Sequence, residues 1–200
     1  MFCWGDGSTY DGQWQNNKRQ GKGTYKYPSG DQYVGQWQND LQHGMGIYTF
    51  QNGDIYEGEY VRGDRTGTGI IKYANGDQYT GQFMNGEKSG QGKVIWANGT
   101  TYQGQWQQDK PNGKGKLTTK QGDILEGQFR DGQPDGECIG HLADGSKFKG
   151  TFKNGKRNGK AIEALRRQGV NLEVLRNSLE WQIAKAESKI GRAGQQECRD

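Results

Sequence analysis

Tyr10-Asp11-Gly12-Gln13-Trp14 returns 23 residues later as Tyr33-Val34-Gly35-Gln36-Trp37, then as Tyr56-Glu57-Gly58-Glu59-Tyr60, Tyr79-Thr80-Gly81-Gln82-Phe83 and Tyr102-Gln103-Gly104-Gln105-Trp106. Leu125-Glu126-Gly127-Gln128-Phe129 and Phe148-Lys149-Gly150-Thr151-Phe152 complete seven copies without an insertion. A fixed period of this length marks a repeat architecture. The glycine columns that begin at Gly7, Gly12 and Gly21 are filled in all seven periods. The four columns containing Tyr10, Trp14, Tyr25 and Tyr27 hold 21 of the 22 aromatic residues, and only Trp181 lies outside them. Random placement would put roughly four rings there, so the period is not chance.

Each period reads as a β-hairpin. Tyr10, Gly12 and Trp14 alternate along one face of a strand, with Asp11, Gln13 and Gln15 on the other. Asn16-Asn17, Asn85-Gly86, Asp131-Gly132 and Asn154-Gly155 then occupy one turn position, with residues that tolerate positive φ. Gly23, Tyr25 and Tyr27 alternate again, and Ser29-Gly30, Asn52-Gly53 or Asn75-Gly76 make the second turn. The fold class expected is mostly β: an elongated, single-layer antiparallel meander of about seven 23-residue hairpins. A glycine between two rings on one face leaves room for rings to lean across strands.

The composition agrees. Gly is 35 of 200 residues, while Leu, Ile, Val and Phe together number only 29. No large aliphatic core can be built from that inventory, so order must come from rings and glycine. With 3 Pro and no G-X-Y period, a collagen helix is excluded. No apolar run approaches 18 residues, so no membrane-spanning helix is expected, and the first residues carry no signal-peptide pattern. Cys3, Cys138 and Cys198 are too scattered for a disulfide framework, which favours a reducing, cytoplasmic location.

The pattern resembles the MORN repeat (membrane occupation and recognition nexus). Asn75-Gly76-Asp77-Gln78-Tyr79-Thr80-Gly81-Gln82-Phe83 matches its motif closely, and the resemblance runs from residue 1 to about 165. Repeat six departs, with Leu125 for Tyr and Cys138 for Gly, and repeat seven has Ala161 at the same glycine place. Phe2 and Trp4 fall in the columns of Tyr25 and Tyr27, so the chain opens on a second strand. The domain division expected is a hairpin array over 1–165 and a tail over 166–200. In the tail Asn171 caps an apolar stripe of Leu172, Leu175, Leu179, Ile183, Ala186 and Ile190, which predicts an amphipathic α-helix. That helix either caps the last hairpins, pairs with a second copy into a homodimer, or meets a partner or membrane.

A search for chemistry finds no enzyme. His43 and His141 lie about four repeats apart. Cys138, His141 and Asp144 could be drawn as a catalytic group, but they sit where the repeat decays. Gly150 to Lys156 mimics a phosphate-binding loop yet is followed by Arg157 rather than Ser or Thr. No cofactor or metal is expected, since no paired Cys or His spacing exists. Charge is more telling: Lys147, Lys149, Lys153, Lys156, Arg157, Lys160, Arg166 and Arg167 face only Glu163, a net +7 in 21 residues. Two functions follow as expectations. The first is a non-catalytic scaffold that holds a peptide or helix of a partner protein on Tyr33, Trp37, Tyr56, Tyr60, Tyr79, Phe83, Tyr102 and Trp106, rings that the bland reading assigns to the core. The second is peripheral membrane attachment, in which the basic cluster contacts acidic phospholipid or phosphoinositide, as the MORN resemblance also implies. Nucleic acid is not expected, because the cations cluster at one end and the rings stack on one another.

Overall fold

The computed structural model describes residues 1–157. Fifteen strands follow in order: β1 (Phe2–Cys3), β2 (Thr9–Gln15), β3 (Lys18–Lys26), β4 (Gln32–Gln38), β5 (Leu41–Thr49), β6 (Ile55–Val61), β7 (Asp64–Lys72), β8 (Gln78–Met84), β9 (Glu87–Ile95), β10 (Thr101–Gln107), β11 (Lys110–Thr118), β12 (Ile124–Arg130), β13 (Gln133–His141), β14 (Lys147–Lys153) and β15 (Lys156–Arg157). They are hydrogen-bonded in chain order as an open meander, and every register that is defined is antiparallel. The chain packs as two compact units, one over Met1–Gly92 and one from Lys93 onward. The expected helix over Leu172–Ile190, and with it the 166–200 tail, lies outside the described residues.

The two turns of each period differ for a local reason. Between β2 and β3, Asn16 and Asn17 both take positive φ, 51° and 59°. The same holds for Asn39 with Asp40, Arg62 with Gly63, Asn85 with Gly86, Gln108 with Asp109, Asp131 with Gly132, and Asn154 with Gly155. Two consecutive left-handed residues make a type I′ turn, whose twist matches that of paired strands. The second turn keeps one left-handed residue, Gly30 at φ 96° for example. There Gly30 N donates to Tyr27 O at 3.0 Å and Tyr27 N to Asp31 O at 2.9 Å. That is a type I turn closed by a glycine bulge.

A third irregularity lies within the hairpin. Gly12 pairs with Gly23 but Trp14 pairs with Arg19, so β3 carries extra residues opposite Gln13. The bulge forms at Gly21, φ 67°, and Gln13 Oε1 accepts the Lys22 amide at 3.0 Å. Glu59, Gln82 and Gln105 do the same for Thr68, Gln91 and Lys114. The side chains of Gln13, Glu59, Gln82 and Gln105 therefore close the bulge, replacing a missing ladder bond.

In the first unit, one face of the sheet carries the interior. Tyr10 lies down over Gly12 and Gly23, and a Cβ on Gly12 would stand 2.6 Å from its hydroxyl. The hydroxyl donates to Gln13 O at 3.0 Å. Tyr33, Tyr56 and Tyr79 repeat this bond to Gln36, Glu59 and Gln82 at 3.0–3.1 Å. Each tyrosine meets the next ring edge to face. Tyr33–Trp37 and Tyr33–Tyr60 centroids are 5.1 and 5.2 Å apart, and Tyr56–Phe83 is 5.1 Å. Such contacts contribute roughly 0.5–1.5 kcal/mol each beyond area burial.

In the second unit, Tyr102 keeps the pattern, bonding Gln105 O at 3.1 Å and meeting Phe129 at 5.0 Å. Repeat six keeps its register, Gly127 opposite Cys138, despite both departures. Repeat seven solves the same problem otherwise. Phe148 lacks the hydroxyl, and the Arg157 guanidinium lies 4.3 Å over its ring, beside Gly150.

Candidate functional site

The eight rings expected to meet a partner are interior. Tyr33, Trp37, Tyr56, Tyr60, Tyr79, Phe83, Tyr102 and Trp106 are each at most 4% exposed. Their side chains close on one another rather than line an open groove. The glycines beneath the tyrosines remove every Cβ, so the rings drop onto the backbone and close over one another. Burial pushes the Tyr56 phenol up to about 12, with the Arg65 charge opposing the shift, and raises those of Tyr10, Tyr33 and Tyr102.

Apart from Trp14, the rings left half-buried belong to the other two aromatic columns. In the first unit Trp4, Tyr25, Tyr27, Tyr48 and Phe50 form an unbroken ladder. Consecutive centroids are 5.6, 4.5, 5.6 and 4.5 Å apart. Polar groups fix the ladder from its side: Gln42 Nε2 donates to the Tyr27 hydroxyl at 3.2 Å, and the Tyr48 hydroxyl donates to Asp31 Oδ2 at 3.1 Å. Asp31 also accepts the Gln51 amide at 2.7 Å. At the Trp4 end the ladder opens into a cleft of about 860 Å³, lined by Phe2, Trp4, Trp14 and Tyr25 with Asp6, Ser8, Asn17, Arg19 and Asp40. Phe2 and Trp14 are 50% and 44% exposed. Bonds from Ser8 hold the Asp6 carboxyl below its ordinary range, so it is charged at neutral pH.

Three cations of one column, Arg19, Arg65 and Lys88, lie over rings of the ladder or of the interior, and sequence reasoning missed them. Arg19 lies 4.8 Å over Tyr25 and 4.4 Å over Trp37. Its Nε meets Asp40 Oδ1 at 3.3 Å and its Nη2 donates to Asp40 O at 2.9 Å. Arg65 lies over Tyr56 and Phe83, and Lys88 over Tyr73 and Tyr79. The signal was present: Arg19, Gln42, Arg65, Lys88, Pro111, Pro134 and Arg157 recur at the same 23-residue step.

The basic cluster is only partly gathered. Lys147, Lys149 and Lys153 share the exposed face of β14, and Lys156 pairs beside Lys153. Lys149 Nζ already meets Glu137 Oε2 at 3.0 Å. Arg157 turns to the ring face, and Lys160, Arg166 and Arg167 lie outside the described residues. The drawn catalytic group does not assemble either. Cys138 faces the interior opposite Gly150, whereas His141, three residues on, faces the other way opposite Lys147. Burial pushes the Cys138 thiol up to about 11, away from a thiolate. Gly150 to Lys156 is a hairpin, β14 into β15, rather than a loop that opens a helix. Among the described residues no group of three or more His, Cys, Asp or Glu could hold a metal ion.

Antiparallel hairpins of fixed length, glycine beds and a ring ladder define a repeat protein of the open-sheet kind. The MORN repeat model matches residues 10–32, 33–55, 56–78, 79–101, 102–124, 126–147 and 148–164. The chain therefore belongs to the MORN repeat family. No curated protein matches it. Among solved structures it is similar to the SAS-4 (dCPAP) TCP domain of Drosophila melanogaster in complex with a proline-rich motif of Ana2 (dSTIL). Identity there is 19% over 69% of this chain and 82% of that one, with a TM-score of 0.41. It is similar also to the TCP10 domain of Danio rerio CPAP in complex with a STIL peptide, at 18% identity over 74% and 72% and a TM-score of 0.32. Both likenesses are loose.

Proposed function

We propose that this MORN-repeat protein is a scaffold without catalytic machinery, and that it holds a partner protein on the ladder Trp4–Tyr25–Tyr27–Tyr48–Phe50. The observation that supports this reading is the difference between the aromatic columns. Apart from Trp14, two are used up as interior, while the ladder stays only half-buried although its rings are large and apolar. Rings already held by their neighbours lose little rotamer freedom on binding, which favours them as anchors. Replacing Tyr27 and Tyr48 by Ala should abolish partner capture while the fold persists. Unchanged capture by a folded double variant overturns the reading.

The lysine row of β14 favours a second reading, contact with an acidic membrane surface. Each lysine near such a surface contributes about 1 kcal/mol at moderate salt. Sedimentation with phosphatidylserine vesicles at low salt, lost on Lys147→Glu with Lys153→Glu, is the expected result. No binding of the full chain at low salt removes it.

A further inference from the structure

We infer that the ladder's ligand is an extended, proline-rich segment carrying basic residues; this rests on the scaffold reading above. The first reason is commensurate spacing. Equivalent ladder positions, Tyr25 with Tyr27 on one hairpin and Tyr48 with Phe50 on the next, are separated by two strands, about 9.6 Å. A polyproline II helix repeats every three residues, about 9.3 Å. A segment lying across the strands with proline at every third place would set one ring on each hairpin in turn. Tyr73, one hairpin further on, continues the same step. Such a segment arrives with its backbone already extended, and flat aromatic walls are the surface that takes it.

The second reason is charge. Asp6 and Asp40 at the cleft and Asp31 between Tyr27 and Tyr48 are carboxylates beside the ladder at this end, and Asp6 and Asp31 are held by uncharged donors. Asp6 accepts from Ser8 N and Oγ at 2.8 and 2.7 Å. Asp31 accepts from the Tyr48 hydroxyl and the Gln51 amide. Arg19, the cation in the cleft, is already spent on Asp40 and on the faces of two rings. The margin of the ladder is thus acidic, and arginine or lysine between the prolines complements it.

Calorimetric titration of the full chain with a synthetic peptide of about twelve residues, repeating proline-proline-arginine, tests this. Three companions share its length: all prolines changed to alanine, all arginines to glutamate, and an amphipathic helical peptide of equal charge. The proline-arginine peptide should bind, and the alanine form should bind at least about tenfold more weakly. The glutamate form should also be weaker, with the gap closing as salt rises. Tyr48→Ala should cost about tenfold and Tyr48→Phe much less, since the ring remains. Equal affinity for the alanine form overturns the inference. Binding of the helical peptide instead also overturns it, but leaves the scaffold reading standing. Failure of every peptide, with partner capture still sensitive to Tyr27 and Tyr48, overturns the proline reading alone.

Discussion

Leu125 and Cys138 together replace a Tyr–Gly pair. In five other repeats a tyrosine lies over a glycine of the next strand and gives its hydroxyl to a backbone carbonyl. In repeat six Leu125 is shorter and has no hydroxyl. The space is taken by Cys138, whose Sγ lies 3.8 Å from Gln128 O, the acceptor a tyrosine would have used. Both residues are buried, at 0% and 1% exposure.

The pair should therefore behave as a unit. Leu125→Tyr alone forces a ring against Cys138 and should cost about 1–3 kcal/mol, as overpacking does. Adding Cys138→Gly should recover most of that loss. Urea unfolding of the two singles and the double gives the coupling, expected to exceed about 1 kcal/mol. Additive effects would contradict the exchange.

Glycines here are required for two separable reasons. Gly35 has no room: a Cβ would stand 2.5 Å from the Tyr33 hydroxyl and 2.6 Å from Gly46 Cα. Gly63 has open space but φ 92°. Gly35→Asn should unfold the first unit or cost at least about 3 kcal/mol. Gly63→Asn should be nearly neutral, because asparagine tolerates left-handed backbone. Thermal melting of both variants checks this.

Alkaline pH should unfold the protein early. The phenols of Tyr10, Tyr33, Tyr56 and Tyr102 titrate higher in the fold than the ordinary value near 10, chiefly through burial. Their contribution is complete below pH 10 and falls above it, since the unfolded chain releases these protons first. Stability measured in urea should drop between pH 10 and 12, with ultraviolet tyrosinate absorbance rising together with unfolding. Tyr56→Phe should weaken the pH dependence and, by leaving Glu59 O without its donor, cost about 1 kcal/mol at neutral pH.

Arg19 should not be replaceable by lysine. Its planar head meets Asp40 twice while lying on Tyr25 and Trp37. Lysine keeps the charge but loses the fork and the stacking. Arg19→Lys should cost about 1 kcal/mol, and high salt should abolish little of the difference, because the guanidinium also lies on two rings. Chemical denaturation at two salt concentrations reads it out.

Sequence alone determined the hairpin, its two turns and its count of seven, because period-two alternation and Asn-Gly or Ser-Gly pairs act on the nearest neighbours in the chain. The family was legible for the same reason. Tertiary structure decided which rings are spent. Alternation places Tyr10, Trp14, Tyr25 and Tyr27 on one face and cannot rank them. Only the approach of the neighbouring strand shows that Tyr10 lies on Gly23 and is sealed by Trp37, whereas Tyr27 and Tyr48 stay half-buried. The bulge at Gly21, the Arg19 stack and the Leu125–Cys138 exchange were likewise hidden. Each depends on atoms brought together from different strands, and burial is a property of that meeting rather than of any residue by itself.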